Sequence, residues 1–176
     1  MAISGLSHTT VRRWFRRFQA LIPQEIAAKL AGVVEADEAF IGKERYHNQQ
    51  IVAGAIKRGG EVVLRPVPTR EYDCLDPFLL DHVETTSRLI TDAWSGYEHI
   101  ENFFGYAHEI CNHSVGHFGP TSRIENVWMC LRRFIRKVYH HIWKEHLPRL
   151  LKEFQARWNH PDAFTDVLSF DPVWVF

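Results

Sequence analysis

Cysteine is scarce in this chain of 176 residues: Cys74, Cys111 and Cys130 are odd in number, widely separated and never arranged as Cys-x-x-Cys. That excludes a disulfide framework and a zinc ribbon, and predicts three buried thiols. Long apolar runs are missing too. No segment approaches the ~18 consecutive apolar residues of a membrane span, and no charged-then-apolar leader opens the sequence, so the expected location is cytoplasmic, with no membrane partner. Net charge is also absent, at a formal +0, yet the balance hides segregation. Five cations (Arg12, Arg13, Arg16, Arg17 and Lys29) face one acid, Glu25, in the first thirty residues, and nine cations face three acids between residues 121 and 160. The acids concentrate between these arms. Two basic arms around an acidic middle suit a polyanion held over a carboxylate cluster. With 45% hydrophobic residues, the chain is long enough to bury a core as one domain with an appendage.

In chain order, Gly5-Leu6-Ser7 reads as a turn and cap, followed by a helix to Leu21 that Pro23 stops. Val11, Trp14, Phe15, Phe18 and Leu21 or Ile22 form its apolar stripe, and Arg12, Arg13, Arg16 and Arg17 take the remaining surface, where they can meet phosphates. A polar start and a basic body suit the second helix of a helix-turn-helix, with little room ahead for the first. A plain amphipathic packing helix is the competing reading. Gln24 to Leu30 is expected to be a short linker helix, so that residues 1–30 form a partial helix-turn-helix and linker, and 31–176 the main domain. Val33 to Ile41 reads as a strand ended by Gly42. Successive strand side chains alternate faces, so Asp37 and Glu38 are not expected to serve one metal together. Two strands follow, Ile51–Ile56 and Glu61–Val67, across the turn Lys57-Arg58-Gly59-Gly60. Asp73 to Val83 is a crossover helix, and Arg88 to Asp92 a buried parallel strand with an acid at its carboxyl end. A short helix to Phe103 or Phe104, a fifth strand over Tyr106–Asn112 and a final helix over His146–Trp158 complete the pattern.

Thr121 to Ile142 is expected to be one long helix. Ile124, Val127, Trp128, Leu131, Ile135, Val138 and Ile142 recur at steps of three and four as its apolar stripe. Thr121 and Ser122 are its expected caps, and Glu125 stands in its first turn. Arg132 follows Glu125 by seven residues, almost two full turns, and so shares its azimuth. Glu125 by itself is equally well read as a capping or dipole residue.

A meander, a helix, a parallel strand, another strand and long helices make an α/β chain with a ribonuclease-H-like mixed sheet flanked by helices, behind a short basic helical segment. In that order, Asp37, Asp92 and Glu125 satisfy the arrangement of two acids on neighbouring inner strands and a third on a facing helix. They are the candidate catalytic and metal-binding residues. Three hard oxygen donors suit magnesium or manganese, with two ions expected.

The segments Glu35-Ala36-Asp37-Glu38-Ala39-Phe40-Ile41-Gly42, Ile90-Thr91-Asp92-Ala93-Trp94-Ser95-Gly96-Tyr97 and Ile124-Glu125-Asn126-Val127-Trp128, with Tyr139-His140-His141 downstream, resemble bacterial insertion-sequence transposases of the DDE type. The similarity is to the family that carries an N-terminal zinc ribbon and helix-turn-helix before its catalytic core. It extends over nearly the whole chain. The resemblance implies metal-dependent cleavage and strand transfer of double-stranded DNA, at transposon ends and target, by a homodimer or higher oligomer. It makes Asp37, Asp92 and Glu125 the ligands. Arg132 or Arg133 would match the basic residue near the DNA phosphates, with Arg136 and Lys137 further along the same helix as additional DNA contacts. Some relatives use Asn or His as the third ligand, which keeps Asn126 as an auxiliary candidate. His113, on the approach to the third acid, is another, for phosphate contact or water positioning; a lone histidine there is more often structural. The zinc ribbon is missing from this sequence, and Met1 falls inside the expected helix-turn-helix, which leads to the expectation of a shortened copy. Two further readings remain open: a ribonuclease-H-like nuclease that cleaves without joining, and a non-catalytic DNA-binding remnant.

Overall fold

The computed structural model describes residues 5–22, 28–97, 100, 104–111, 121–139 and 142–162. Among these residues, helix α1 (His8–Leu21) precedes strands β1 (Val33–Ile41), β2 (Gln50–Lys57) and β3 (Val62–Val67), helix α2 (Tyr72–His82), strands β4 (Arg88–Asp92) and β5 (Ala107–Cys111), and helices α3 (Ser122–Phe134) and α4 (Leu147–Asn159). The strands form one mixed sheet in the order β3-β2-β1-β4-β5. The first three are an antiparallel meander, whereas β4 pairs parallel to both β1 and β5.

Strand alternation sorts the core into two layers. Ala39 and Ile41 of β1 join Val52, Ile56, Val62 and Leu64 against Ile124, Val127, Trp128 and Leu131 of α3 and Leu150, Leu151 and Phe154 of α4. Val34 and Ala36 point the other way, into a cluster with Ala53, Ala55, Val63 and Leu89 under Leu75, Phe78 and Leu79 of α2. Each fully buried leucine or isoleucine in these layers contributes about 1.5–3 kcal/mol relative to exposure. Gly42 ends β1 because the chain there takes φ 98 and passes so close to the Asn48 carbonyl oxygen that a Cβ would lie 2.4 Å from it. β3 is an edge strand, and α4 covers its open side. The Leu64 amide donates to Gln155 Oε1 at 2.9 Å, and Asn159 makes paired bonds with the Val62 amide and carbonyl. This edge is therefore closed to pairing with another chain.

The long helix expected over Thr121–Ile142 is shorter. α3 ends at Phe134, and Ile135–Tyr139 form a π-helical turn in which Tyr139 reaches the buried carboxylate of Glu153. Ile142 is buried beyond it, held near the β1–β2 connection by the Asn48 amide, which donates to the Ile142 carbonyl at 3.0 Å. The apolar stripe thus continues across a break in helical register. The expected cap also differs: neither Thr121 nor Ser122 caps α3 through its side chain, and the Thr121 hydroxyl donates instead to Glu125 Oε1 at 3.3 Å. The orphan amides of Arg123 and Ile124 donate to Glu35 Oε2 of β1 at 2.9 and 3.1 Å. A fully buried strand carboxylate is the cap, and the helix dipole favours its charge there.

α1 begins where expected, with the Ser7 hydroxyl accepting from the Thr10 amide. Its apolar stripe, however, is not core: Val11, Trp14, Phe15, Phe18 and Leu21 are all exposed. The helix is attached through a polar side chain, since buried Gln19 donates to Glu153 Oε2 and to the Tyr139 hydroxyl. Of the helix expected at Gln24–Leu30, residues 24–27 lie outside the described residues, and Leu30 itself makes a parallel bridge to Val83. Cys111 is buried, but Cys74 and Cys130 are only partly so, which corrects the expectation for all three thiols.

Candidate active site

Parallel pairing of β1 with β4 runs from Val33 and Arg88 to Glu35 and Ile90. β4 ends at Asp92, two residues later, while β1 continues to Ile41 against β2 alone. Among the described residues, the β4-side edge of β1 has no ladder partner beyond Glu35, and this gap at the carboxyl end of β4 is where the acids gather. One carboxylate oxygen from each of Asp37, Glu38 and Asp92 lies within 4.8 Å of the others. The expectation that alternation keeps Asp37 and Glu38 from serving one metal together is therefore corrected for the positions of their oxygens. Their Cβ atoms do leave opposite faces, but both side chains flank the gap where β4 has ended and can reach round it.

Each acid is held differently. Asp37 Oδ2 accepts from the Trp128 indole at 2.8 Å. That contact is possible because β2 carries Gly54 opposite Asp37; a Cβ there would lie 2.4 Å from the Trp128 ring. Asp92 Oδ1 accepts from the Trp94 amide at 3.0 Å, a turn that fixes the carboxylate at the strand end. Glu38 receives a hydrogen bond from the fully buried Tyr97 hydroxyl, while its Oε1 is buried without a partner. Arg70, whose guanidinium lies 3.5 Å from the Trp94 ring centroid, faces Glu38 electrostatically. The Arg70 carbonyl in turn accepts from the Trp94 indole at 3.0 Å.

Burial raises the pKa of Asp37, against the lowering effect of the Trp128 bond, and the charges of Asp92 and Glu125 raise it further. Burial, followed by the charges of Asp37 and Asp92, pushes Glu38 up to about 7, with Arg70 and Tyr97 pulling the other way. Burial and the same acids push Tyr97 well above its ordinary value, so it remains a donor. Carboxylates crowded like this in partial burial favour an added cation. Hard oxygen donors of this number fit a divalent metal of the magnesium or manganese kind.

Glu125 is exposed in the first turn of α3 and lies outside the three-carboxylate group, though near enough for its charge to act on Asp37. Asn126 is exposed and accepts a weak bond from the Cys130 thiol at 3.8 Å. His113, and with it His117, His140 and His141, lies outside the described residues. Arg12, Arg13, Arg16 and Arg17 are exposed on α1, and Arg132, Arg133, Arg136 and Lys137 on α3 and its π-helical extension. Glu38 and its supports, Tyr97, Arg70 and Trp94, are what sequence reasoning missed. The signals for them were the acid adjoining Asp37, which strict alternation set aside, and Trp94 and Tyr97 in the segment that follows Asp92.

A mixed five-stranded sheet in the order β3-β2-β1-β4-β5 with helices packed on it, and acids of the neighbouring strands β1 and β4 brought together, is a ribonuclease-H-like core. The sequence profile of the ISXO2-like transposase domain matches residues 29–159, and the chain belongs to that family. It is an insertion-sequence DDE transposase. No curated protein sequence matches the chain. Among solved structures, it is similar to the HTLV-2 integrase catalytic core domain in complex with magnesium. Against the dimeric form, the TM-score is 0.51 at 10% identity, covering 81% of this chain and 93% of that one. Against the trimeric form, it is 0.50 at 10% identity, covering 80% and 90%. The chain also aligns, at TM-score 0.49 and 13% identity, with a chain of a simian T-cell lymphotropic virus intasome in complex with PP2A regulatory subunit B56 gamma, covering 84% of its own length and 55% of that chain. The integrase cores show the ribonuclease-H-like fold. Among the described residues, no helix is long and apolar enough to cross a membrane.

Proposed function

We propose that this domain cleaves double-stranded DNA at the ends of an insertion sequence and joins the freed 3' hydroxyl to target DNA, with Asp37, Asp92 and Glu125 as its catalytic carboxylates. The observation that carries this reading is the convergence of Asp37 and Asp92 in the gap where β4 ends, with Glu125 acting on Asp37 from α3. Magnesium or manganese, two ions in the complete site, would be held by these acids and would supply Lewis-acid activation of the attacking oxygen and charge neutralisation at the leaving one. The protein's own part is to aim the acids. The Trp128 indole holds Asp37, the Trp94 amide holds Asp92, and the Glu35 cap anchors the helix that carries Glu125.

The DNA backbone would lie across the exposed cations. Arg132, Arg133, Arg136 and Lys137 follow Glu125 along one helix and its extension, and Arg12, Arg13, Arg16 and Arg17 offer a second set on α1. Phosphate contacts of this kind give affinity and register without reading sequence. Residues 1–30 would act as the DNA-binding appendage and 31–176 as the catalytic domain, working as a homodimer or higher oligomer on DNA in the bacterial cytoplasm. The test is incubation of the purified chain and a supercoiled plasmid carrying the element's terminal repeats with magnesium or manganese. Nicking at the repeat ends followed by joined products is expected, and Asp37→Asn, Asp92→Asn and Glu125→Gln should each abolish both. Nicks without joined ends would assign a nuclease, and no metal-dependent nicking would overturn the reading.

A further inference from the structure

Glu38 is the acid that neither the DDE pattern nor the alternation of β1 calls for. One of its oxygens lies within 4.8 Å of oxygens of both Asp37 and Asp92, a group that excludes exposed Glu125. Its support is specific to it. The buried Tyr97 hydroxyl donates to the carboxylate, Arg70 faces it, and Arg70 is itself fixed on Trp94 by ring stacking and by the bond from the Trp94 indole to its carbonyl. With one interaction on Tyr97, the carboxylate keeps Oε1 buried and without a partner. A buried carboxylate oxygen with no donor is costly unless a cation completes it. Asp37 accepts from the Trp128 indole and the Glu38 amide and Asp92 from the Trp94 amide, bonds that fix the two carboxylates beside Glu38.

We propose that Glu38 is a metal ligand, completing with Asp37 and Asp92 the tighter divalent site, and that Glu125 serves the second ion from α3. The catalytic set is then four carboxylates rather than three. Tyr97 and Arg70 are positioning residues: they hold Glu38 so that one of its oxygens stays within reach of Asp37 and Asp92. This inference rests on the metal-dependent reading of the same site, so its test includes a variant that separates the two.

Manganese binding to the full chain, without DNA, is measured by electron paramagnetic resonance and by calorimetry. Removing a group that only orients a ligand costs roughly 10–100-fold in metal affinity, and loss of a ligand should cost at least as much. Glu38→Gln should therefore weaken the tighter site by roughly a hundredfold. Glu38→Asp keeps the charge but withdraws the carboxylate by one methylene, and should weaken it by more than about tenfold. Tyr97→Phe, which preserves the buried ring, should cause an intermediate loss. Glu125→Gln should spare the tighter site and remove the weaker one. Far-UV circular dichroism identifies any variant that fails to fold, and Tyr97→Phe then stands in for it. Wild-type affinity in Glu38→Asp and Tyr97→Phe, with binding lost in Asp37→Asn, would overturn the role of Glu38 and leave the function intact. Wild-type affinity in Asp37→Asn as well would overturn both.

Discussion

Glu35 is a strand carboxylate that holds a helix in place, and its removal should be costly. It is fully buried, accepts from the Arg123 and Ile124 amides through Oε2, and accepts from Arg58 Nε through Oε1 at 3.1 Å. In Glu35→Ala, the cap is lost, worth roughly 0.5–2 kcal/mol. The buried Ile124 amide is left without an acceptor, which adds about 1–3 kcal/mol. Arg58 is half exposed, with 47% of its side-chain surface open, so loss of that pair adds less than about 1 kcal/mol. Together with the cavity, the expected loss is about 3–5 kcal/mol. At ~2–4 °C per kcal/mol for a chain of this size, melting should fall by roughly 10 °C. Glu35→Gln keeps the volume and one acceptor oxygen, and should lose about 1–2 kcal/mol, because the charge and the Arg58 pair go while the amides remain satisfied. Urea denaturation of the metal-free chain, followed by circular dichroism and tryptophan fluorescence, measures both. An alanine variant within about 1 kcal/mol of wild type would refute the cap, because an orphaned buried amide alone should exceed that. Glu125 occupies the first turn of the same helix, so loosening the cap should also lower DNA cleavage in Glu35→Gln at a temperature where that variant is fully folded.

Gly54→Ala should drive the Trp128 ring off Asp37, costing about 1–3 kcal/mol of stability by overpacking and weakening metal binding; an unchanged tryptophan emission spectrum would count against it. In the metal-free fold Asp37 is raised above its ordinary 3.8 and Glu38 from 4.5 to about 7, so the folded chain binds more protons than the unfolded one through the window that Glu38 sets, 4.5 to about 7. Stability of the metal-free protein from these groups is therefore present below that window and lost as pH rises through it, and millimolar magnesium should raise the melting temperature more at about pH 8 than at about pH 5. Equal increments at both would contradict the carboxylate site. Arg132→Ala should weaken DNA binding on all sequences and reduce the slope of log affinity against log salt by about one unit per lost phosphate contact, with no change in base preference. A loss of thermal stability without a change in salt slope would instead make Arg132 structural.

Much of the fold was legible because it is written in local pattern. The β1, β2 and β3 ranges follow from β-branched runs bounded by Gly42 and the Lys57–Gly60 turn, and α2 and β4 from a change of period followed by a short apolar run ending in an acid. Asp92 was legible from such a pattern because it ends a short apolar strand, whereas Asp37 lies in the middle of β1 and its meeting with Asp92 depends on the register of the two strands. The far end of α3 was not legible in this way. Ile135, Val138 and Ile142 keep helical spacing, but the π-helical turn is set by Tyr139 reaching Glu153, fourteen residues on, and no periodicity encodes that contact. The exposed stripe of α1 fails for the opposite reason: its pattern is helical, but pattern does not say what covers a face.

The site itself shows why alternation is sound within a ladder and unsafe at its end. At Val34 and Glu35, β1 is flanked on both sides by partners, and its side chains are held to one face or the other. Glu35 obeys the rule and spends itself on α3. Two residues later β4 is ending, and a carboxylate on two or three rotatable bonds needs only to lean toward the open edge to cross the plane of the sheet. Asp37 and Glu38 converge for that reason, and a sequence reading that carries period two past the last paired residue misassigns the second of them. The register that decides this is a property of β1 and β4 jointly, separated by some fifty residues of chain, and it becomes visible only when the two strands lie side by side.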